Sequence, residues 1–310
     1  MLRQTSSRRH LFARFSKNYK RYKYIYLMAL PVVVYYVIFM YWPMYGAQIA
    51  FKRFSLSLGI ERSPWIGLTN FSRFFGSFYF NRVLRNTLLI SIYNLIFTFP
   101  APILLALLLN ELRSQRYKRI VQTTTYLPHF ISIMVVCGMI IDFTRSGGVI
   151  NDLLALWIPR QTMLTQPSMF RRVYIISEIW QSAGWGSIIY LSALTSIDPE
   201  LYEAAVIDGA GRFQKVLNIT LPGIAPTIVV MFILRIGQMM NVSYEKIILL
   251  YNETTYEVAD VISTFVYRKG LVDADYSYSS AVGLFNSGVN LLLLVFANTM
   301  SRKVSDMSLW

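Results

Sequence analysis

The sequence of 310 residues predicts an all-α integral membrane protein with six transmembrane helices. Composition is the first reason: 55% of the residues are apolar and 15% charged, against roughly 45–50% and about 25% in a soluble domain. Distribution is the second, because the apolar residues gather in runs long enough to cross about 30 Å of hydrocarbon. Charge is the third: 30 Lys and Arg against 16 Asp and Glu leave +14. The basic residues are densest at the N-terminus, which assigns that end to the cytoplasm, beside anionic membrane lipid.

Residues 1–23 carry Arg3, Arg8, Arg9, Arg14, Lys17, Lys20, Arg21 and Lys23 and no acid. Phe12, Phe15, Tyr19, Tyr22 and Tyr26 recur at three- and four-residue steps, the pattern of an amphipathic helix lying in the interface. Because this arm adjoins a span, membrane is preferred over nucleic acid as its partner, and no nucleic-acid binding is expected. Ser7-Arg8-Arg9-His10-Leu11-Phe12 looks like a twin-arginine export signal. The run behind it lacks a small-residue cleavage site, so it reads as an uncleaved first span.

The spans are placed at about 24–45, 86–109, 126–141, 174–194, 224–240 and 279–300, within one membrane domain covering 24–300, and residues 301–310 form a cytoplasmic tail. An even number of crossings puts both termini on one side. Arg113, Arg116, Lys118 and Arg119 behind the second span and Arg302 and Lys303 behind the sixth agree with a cytoplasmic position. Lys52, Arg53, Arg62, Arg73, Arg171 and Arg172 fall on the outer side and follow the rule poorly. The loop 241–278, with Glu245, Glu253, Glu257, Asp260, Asp273 and Asp275, is placed outside. Pro31, Pro100, Pro102, Pro222 and Pro226 lie in or at the spans, where each removes a backbone donor and kinks the helix.

Chemistry of the usual enzymatic kinds finds no foothold. Cys137 is the single cysteine, and His10 and His129 share no ligand spacing, so no metal site is expected. A membrane-embedded enzyme would need a nucleophile with its base, or clustered His and Asp. The chain also lacks the Gly-x4-Gly-Lys-Ser/Thr phosphate loop, so it is not expected to bind ATP or to be an enzyme.

The most informative stretch lies between the fourth and fifth spans, in residues 195–222. Asp198 can cap a helix, Pro199 suits its first position, Glu200 complements the positive end of its dipole, and Gly209 can take the left-handed terminating conformation. Ala204 and Ala205 keep one face small enough for close approach, with Glu203 offering charge beside it. A tidy connector would read the same way. The longer pattern is more specific: Glu203-Ala204-Ala205, three residues, Gly209, nine residues, then Ile219-x-Leu221-Pro222 resembles the signature loop of the membrane-spanning subunits of binding-protein-dependent ABC importers. The likeness extends through Pro43-Met44-Tyr45-Gly46, Trp65-x-Gly67-Leu68-x-Asn70-Phe71, Arg85-Asn86-Thr87-Leu88, Tyr126-Leu127-Pro128 and Trp185-Gly186-Ser187. It is most similar to the carbohydrate branch that takes up complex oligosaccharides or polysaccharide fragments.

That resemblance implies a type I importer permease fold in a bacterial cytoplasmic membrane. It implies a coupling helix, Glu203, Ala204, Ala205, Asp208 and Gly209, docked on a separate ATPase. The implied partners are a second permease subunit, most often a related chain forming a heterodimer, two ATP-binding subunits that hold ATP and Mg, and an extracytoplasmic solute-binding protein. A cofactor in this chain is not implied.

For the substrate pathway, Arg235 stands out, since a central arginine costs about 2.5–3.5 kcal/mol on insertion scales. It could hold a sugar hydroxyl or carboxylate, or form an internal pair or snorkel. Trp180, Trp185 and Tyr190 could stack on sugar rings or simply pack. Asn94, Glu178 and Asn286 are further polar candidates that helix packing explains equally well. Asp273 and Asp275 could meet a binding protein. A proton-coupled secondary sugar carrier is the alternative, but Asp142 and Glu178 lie near span ends without a paired carboxylate deep inside.

Overall fold

The computed structural model describes residues 22–154, 157 and 159–305. Of the interfacial segment expected over 1–23, residues 1–21 lie outside them, as do residues 306–310 of the tail, while Tyr22 and Lys23 begin the first described helix. Two compact units are distinguished, one ending at Ile66 and the other beginning at Gly67. Helix α1, Tyr22–Phe51, dominates the first, and none of its most apolar stretch is buried. Beyond it, Lys52 donates to the Ile60 carbonyl at 2.7 Å and lies 4.7 Å from the centre of the Trp65 ring.

The second unit contains α2 (Thr69–Phe75), α3 (Tyr79–Asn110), α4 (Gln115–Tyr126), α5 (Ile133–Thr144), α6 (Pro167–Leu194), α7 (Pro199–Ile207), α8 (Arg212–Gly237), α9 (Tyr244–Leu250), α10 (Ile262–Tyr267) and α11 (Tyr276–Ser305). Among the described residues no β-strand forms. Among the described residues five helical segments, α1, α3, Ile133–Leu154, α8 and α11, are long and apolar enough to cross a membrane by length and composition. Helix α6 has 28 residues, about 42 Å at 1.5 Å per residue. It is not among those five: it carries Arg171, Arg172 and Glu178 in its first half and Gln181, Ser182, Gly184, Gly186 and Ser187 in its second. The apolar run placed at 126–141 is divided: α4 ends at Tyr126, a single 3₁₀ turn holds Pro128, and α5 starts at Ile133.

Prolines explain the irregular winding of three long helices. A five-residue π turn occupies Val37–Tyr41 in α1, Asn94–Thr98 in α3 and Val216–Thr220 in α8. Each ends two residues before a proline, Pro43, Pro100 or Pro222. A helical proline clashes with the carbonyl four residues back, here Phe39, Ile96 or Asn218, in the middle of the π turn. Widening that turn moves the carbonyl aside and lets the helix continue. Pro31 lies in regular α-helix, and Pro226 is inside α8.

Helix α6 is the central post of the second unit, packed along the 100–110 part of α3, on α4 and on α8. Small residues allow this. A Cβ at Gly184 would collide with the Thr125 carbonyl, and one at Gly186 would lie 2.9 Å from the Pro102 ring. One apolar cluster joins Ile90, Val136, Ile140, Phe170, Tyr174 and Ile247. A second joins Phe74, Val83, Met240, Phe265 and Tyr278. A third, of Ile103, Ala106, Tyr190, Leu194 and Ile224, surrounds the other end of α6.

Candidate functional site

Helix α8 stops at Gly237, and residues 238–243 run irregularly before α9 begins. This break is held by side chains from neighbouring helices. Asn241 accepts from Asn286 and Asn290, each at 3.0 Å, Asn290 accepts from the Met240 amide at 2.9 Å, and Ser91 donates to the Met239 carbonyl. Irregular backbone at such depth persists only where protein or a wet cavity satisfies it. Asn286 and Asn290 lie ten and fourteen residues into α11, or about 15 and 21 Å along it, and Ser91 lies about 18 Å along α3. The break therefore sits near the middle of the long helices. The segment 241–250, which the sequence assigns to an outer loop, begins inside the bundle.

A cavity of about 40 Å³ opens at this break, lined in part by Ser91, Asn94, Arg235, Gln238 and Asn241. That volume holds water-sized occupants and no sugar ring. Asn94 is buried and accepts from the Thr98 hydroxyl at 3.1 Å. The Arg235 carbonyl accepts from the Gln238 amide at 3.2 Å, but the Arg235 guanidinium makes no hydrogen bond or ion pair among the described residues. Nearby, Lys246 donates to Glu178 at 2.8 Å with 1% of its side chain exposed, and lies 5.0 Å from the centre of the Tyr174 ring. Tyr174 is within electrostatic reach of both Glu178 and Arg235.

The structure thus brings Arg235 and Asn94 to one cavity and ties Asn286 to it through Asn241. It places the aromatic candidates elsewhere. Trp185 stacks on His129 at 4.7 Å, Tyr190 is buried in the third apolar cluster, and Trp180 is exposed. Ser91, Gln238, Asn241 and Asn290 went unnoticed in the sequence. The signal was present for one of them, since Asn290 follows Asn286 by four residues on the same helical face.

Toward the starts of α3 and α6 the bundle is closed by a second polar network. Asp260, fully buried, receives two hydrogen bonds from Arg268 at 2.8 Å, one from Thr264 at 2.8 Å and one from Arg82 at 3.2 Å. Asn86 donates to the Glu257 and Asp260 carbonyls and accepts from Arg171 at 2.8 Å. Burial alone would lower the Arg268 pKa, and hydrogen bonding and charge from Asp260 more than reverse it, so the pKa is raised. Among the described residues no group of three His, Cys, Asp or Glu side chains could hold a metal.

The loop between α6 and α8 is built as a short rigid helix. Asp198 accepts from the Glu200 amide at 3.0 Å, and Pro199 takes the first turn. At the other end Gly209 has φ +77°, its amide donates to Val206 O at 3.1 Å, and the Ala210 amide donates to Ala205 O at 2.8 Å. Those two bonds are the paired closure of a Schellman cap. The Tyr202 and Thr220 hydroxyls meet at 3.0 Å, joining α7 to the base of α8. None of α7 is buried, and Leu201, Glu203, Ala204, Val206, Ile207, Asp208 and Phe213 are all exposed.

Comparison with known proteins follows the same lines. A family model described as "Binding-protein-dependent transport system inner membrane component" matches residues 70–306. Protein LplB of Bacillus subtilis is 44% identical over 293 residues, covering 94% of this chain and 92% of LplB. The polygalacturonan/rhamnogalacturonan transport system permease protein YteP of the same organism is 45% identical over 286 residues, covering 92% of this chain and 89% of YteP. Among solved structures, a chain of a bacterial ABC transporter involved in the import of the acidic polysaccharide alginate is 48% identical with a TM-score of 0.86, covering 94% of this chain and 99% of that one. A chain of the bacterial alginate ABC transporter in complex with an alginate pentasaccharide-bound periplasmic protein is 46% identical with a TM-score of 0.87, covering 96% and 100%.

Proposed function

Because this chain belongs to the family of binding-protein-dependent transport system inner membrane components, we propose that it is a permease subunit of an ATP-driven importer, with an oligosaccharide or polysaccharide fragment as cargo. Acidic saccharides are the favoured class, since alginate is the cargo named for the solved relatives and polygalacturonan that named for YteP. The chain resides in a bacterial cytoplasmic membrane, with α6 as a sixth crossing and both termini cytoplasmic. It performs no bond chemistry. A related second permease chain completes the pathway, two ATP-binding subunits hold ATP and Mg, and an extracytoplasmic binding protein delivers the sugar.

The observation that carries this reading is α7: an exposed nine-residue helix, capped at both ends and tied to α8. A helix rigid enough to transmit a push and exposed enough to be pushed suits docking on an ATPase. Glu203 supplies a charge for a basic partner, Ala204 and Ala205 permit close approach, and Gly209 closes the helix.

Affinity purification of the tagged chain from its own cells in mild detergent tests the assignment. Wild type is expected to bring an ATPase and a second permease. Glu203→Lys is expected to lose the ATPase and ATP-dependent uptake while remaining in the membrane. Normal transport by Glu203→Lys would remove α7 from the coupling role, and uptake abolished by uncouplers yet indifferent to ATP would favour a proton-coupled carrier.

A further inference from the structure

We propose that Arg235 is the residue that reads the carboxylate of an acidic sugar as it passes the middle of the pathway. This rests on the importer reading and deepens it by assigning one charge-selecting residue. Three observations converge on it. Arg235 lines the cavity at the break after α8, and no carboxylate pairs with it among the described residues. The acid on α6 near this region, Glu178, is already committed to Lys246 at 2.8 Å, so the local charge remains positive. Ser91, Asn94, Gln238 and Asn241 line the same cavity and leave Arg235 as the one charged residue in its lining.

A structural arginine at this depth would be expected to have its own counter-ion, as Arg268 has in Asp260, because an unpaired cation in a span is costly. Leaving Arg235 unpaired leaves a planar donor fork for an arriving carboxylate. Two further arginines flank the same end of the bundle. Arg85 and Arg172 are exposed toward the starts of α3 and α6, neither with an ion-pair partner among the described residues. They lie on the outer side, where the positive-inside rule disfavours them. The nearby buried acid, Asp260, is outnumbered by Arg82 and Arg268.

The test uses the whole purified complex without its binding protein, so that the binding protein's preference does not intervene. Binding of radiolabelled oligogalacturonate and oligoalginate is measured against the same oligomers with their carboxyl groups reduced to alcohols. Each is run nucleotide-free and after trapping with ATP and vanadate. Wild type is expected to bind at least one acidic oligomer and to discriminate against its reduced form. Arg235→Gln is expected to weaken acidic binding about tenfold or more without changing binding of the reduced form, and Arg235→Lys to retain part of the preference. Equal loss of both forms, no loss in Arg235→Gln, or no acidic preference in wild type would overturn the proposal. ATP-dependent uptake by wild-type vesicles is scored separately: its presence keeps the importer reading when the Arg235 assignment fails, and its absence removes both.

Discussion

Lys246 donates to Glu178 across 2.8 Å, and the two ends of that ion pair are unequally wet: 1% of the lysine side chain is exposed and 26% of the glutamate's. Removing either partner leaves the other charge uncompensated, but only the lysine is left dry. Glu178→Gln is therefore expected to destabilise the chain by about 3–5 kcal/mol, the usual cost of breaking a buried pair, and Lys246→Met by less. The double variant Glu178→Leu/Lys246→Met should recover much of the loss. Thermal unfolding in detergent across the double-mutant cycle reads all three.

Gly184 and Gly138 make opposite predictions from the same substitution. A Cβ at Gly184 runs into the Thr125 carbonyl, which is backbone and cannot swing aside, whereas one at Gly138 meets nothing within 4 Å. Gly184→Ala should separate α6 from α4 at a cost of about 1–3 kcal/mol or more. Gly138→Ala should stabilise α5 by up to about 1 kcal/mol through helix propensity. Thermal aggregation of the detergent-purified variants should move in opposite directions.

The left-handed backbone at Gly209 closes α7, and a branched side chain there costs about 1–2 kcal/mol. Gly209→Val is expected to raise hydrogen exchange of the amides in 205–210 about tenfold, the equivalent of ~1.4 kcal/mol. Gly209→Asn should stay near wild type, because asparagine tolerates this conformation. Unchanged protection in Gly209→Val would show that the cap does not set the rigidity of α7.

Asn241 is the shared acceptor for Asn286 and Asn290. Asn241→Leu strands two donors, each costing about 1–3 kcal/mol where water cannot replace the bond. The loss should be much smaller if water enters the cavity. Unfolding midpoints compared with those of Asn286→Leu and Asn290→Leu distinguish a dry break from a wet one.

The helices and the loop α7 were legible in the sequence because each is specified locally. Apolar runs report residence in hydrocarbon, and Asp198, Pro199 and Gly209 set the ends of α7 by their own geometry. Helix extent was less legible. Helix α6 begins at Pro167, before its apolar run, because Arg171 continues the helix while donating to the Val258 carbonyl at 3.2 Å. The mid-bundle break was hidden for a similar reason. Lys246 and Glu178 are 68 residues apart, and no local pattern connects them. A lysine beside acidic residues reads as solvated loop until its partner is known. Arg235 could be singled out by its cost in a span, while Ser91 and Gln238 look ordinary until the fold gathers them.

The pairing of a π turn with a proline two residues further on, in α1, α3 and α8, changes how residues are counted along these helices. A π turn takes in one residue more than an α turn, so the helix beyond it is rotated by about 100° relative to uniform winding. A helical wheel drawn straight through Tyr79–Asn110 therefore assigns the wrong face to one half, and Ser91 and Leu107 cannot be compared on it. The same joint tolerates arithmetic. Deleting one residue from Asn94–Thr98 together with Pro100→Ala would restore regular α-helix and leave both flanks facing as before. A single-residue gap between related chains at these positions is thus structurally silent where the proline is also replaced, while the same gap ten residues away would turn an entire span.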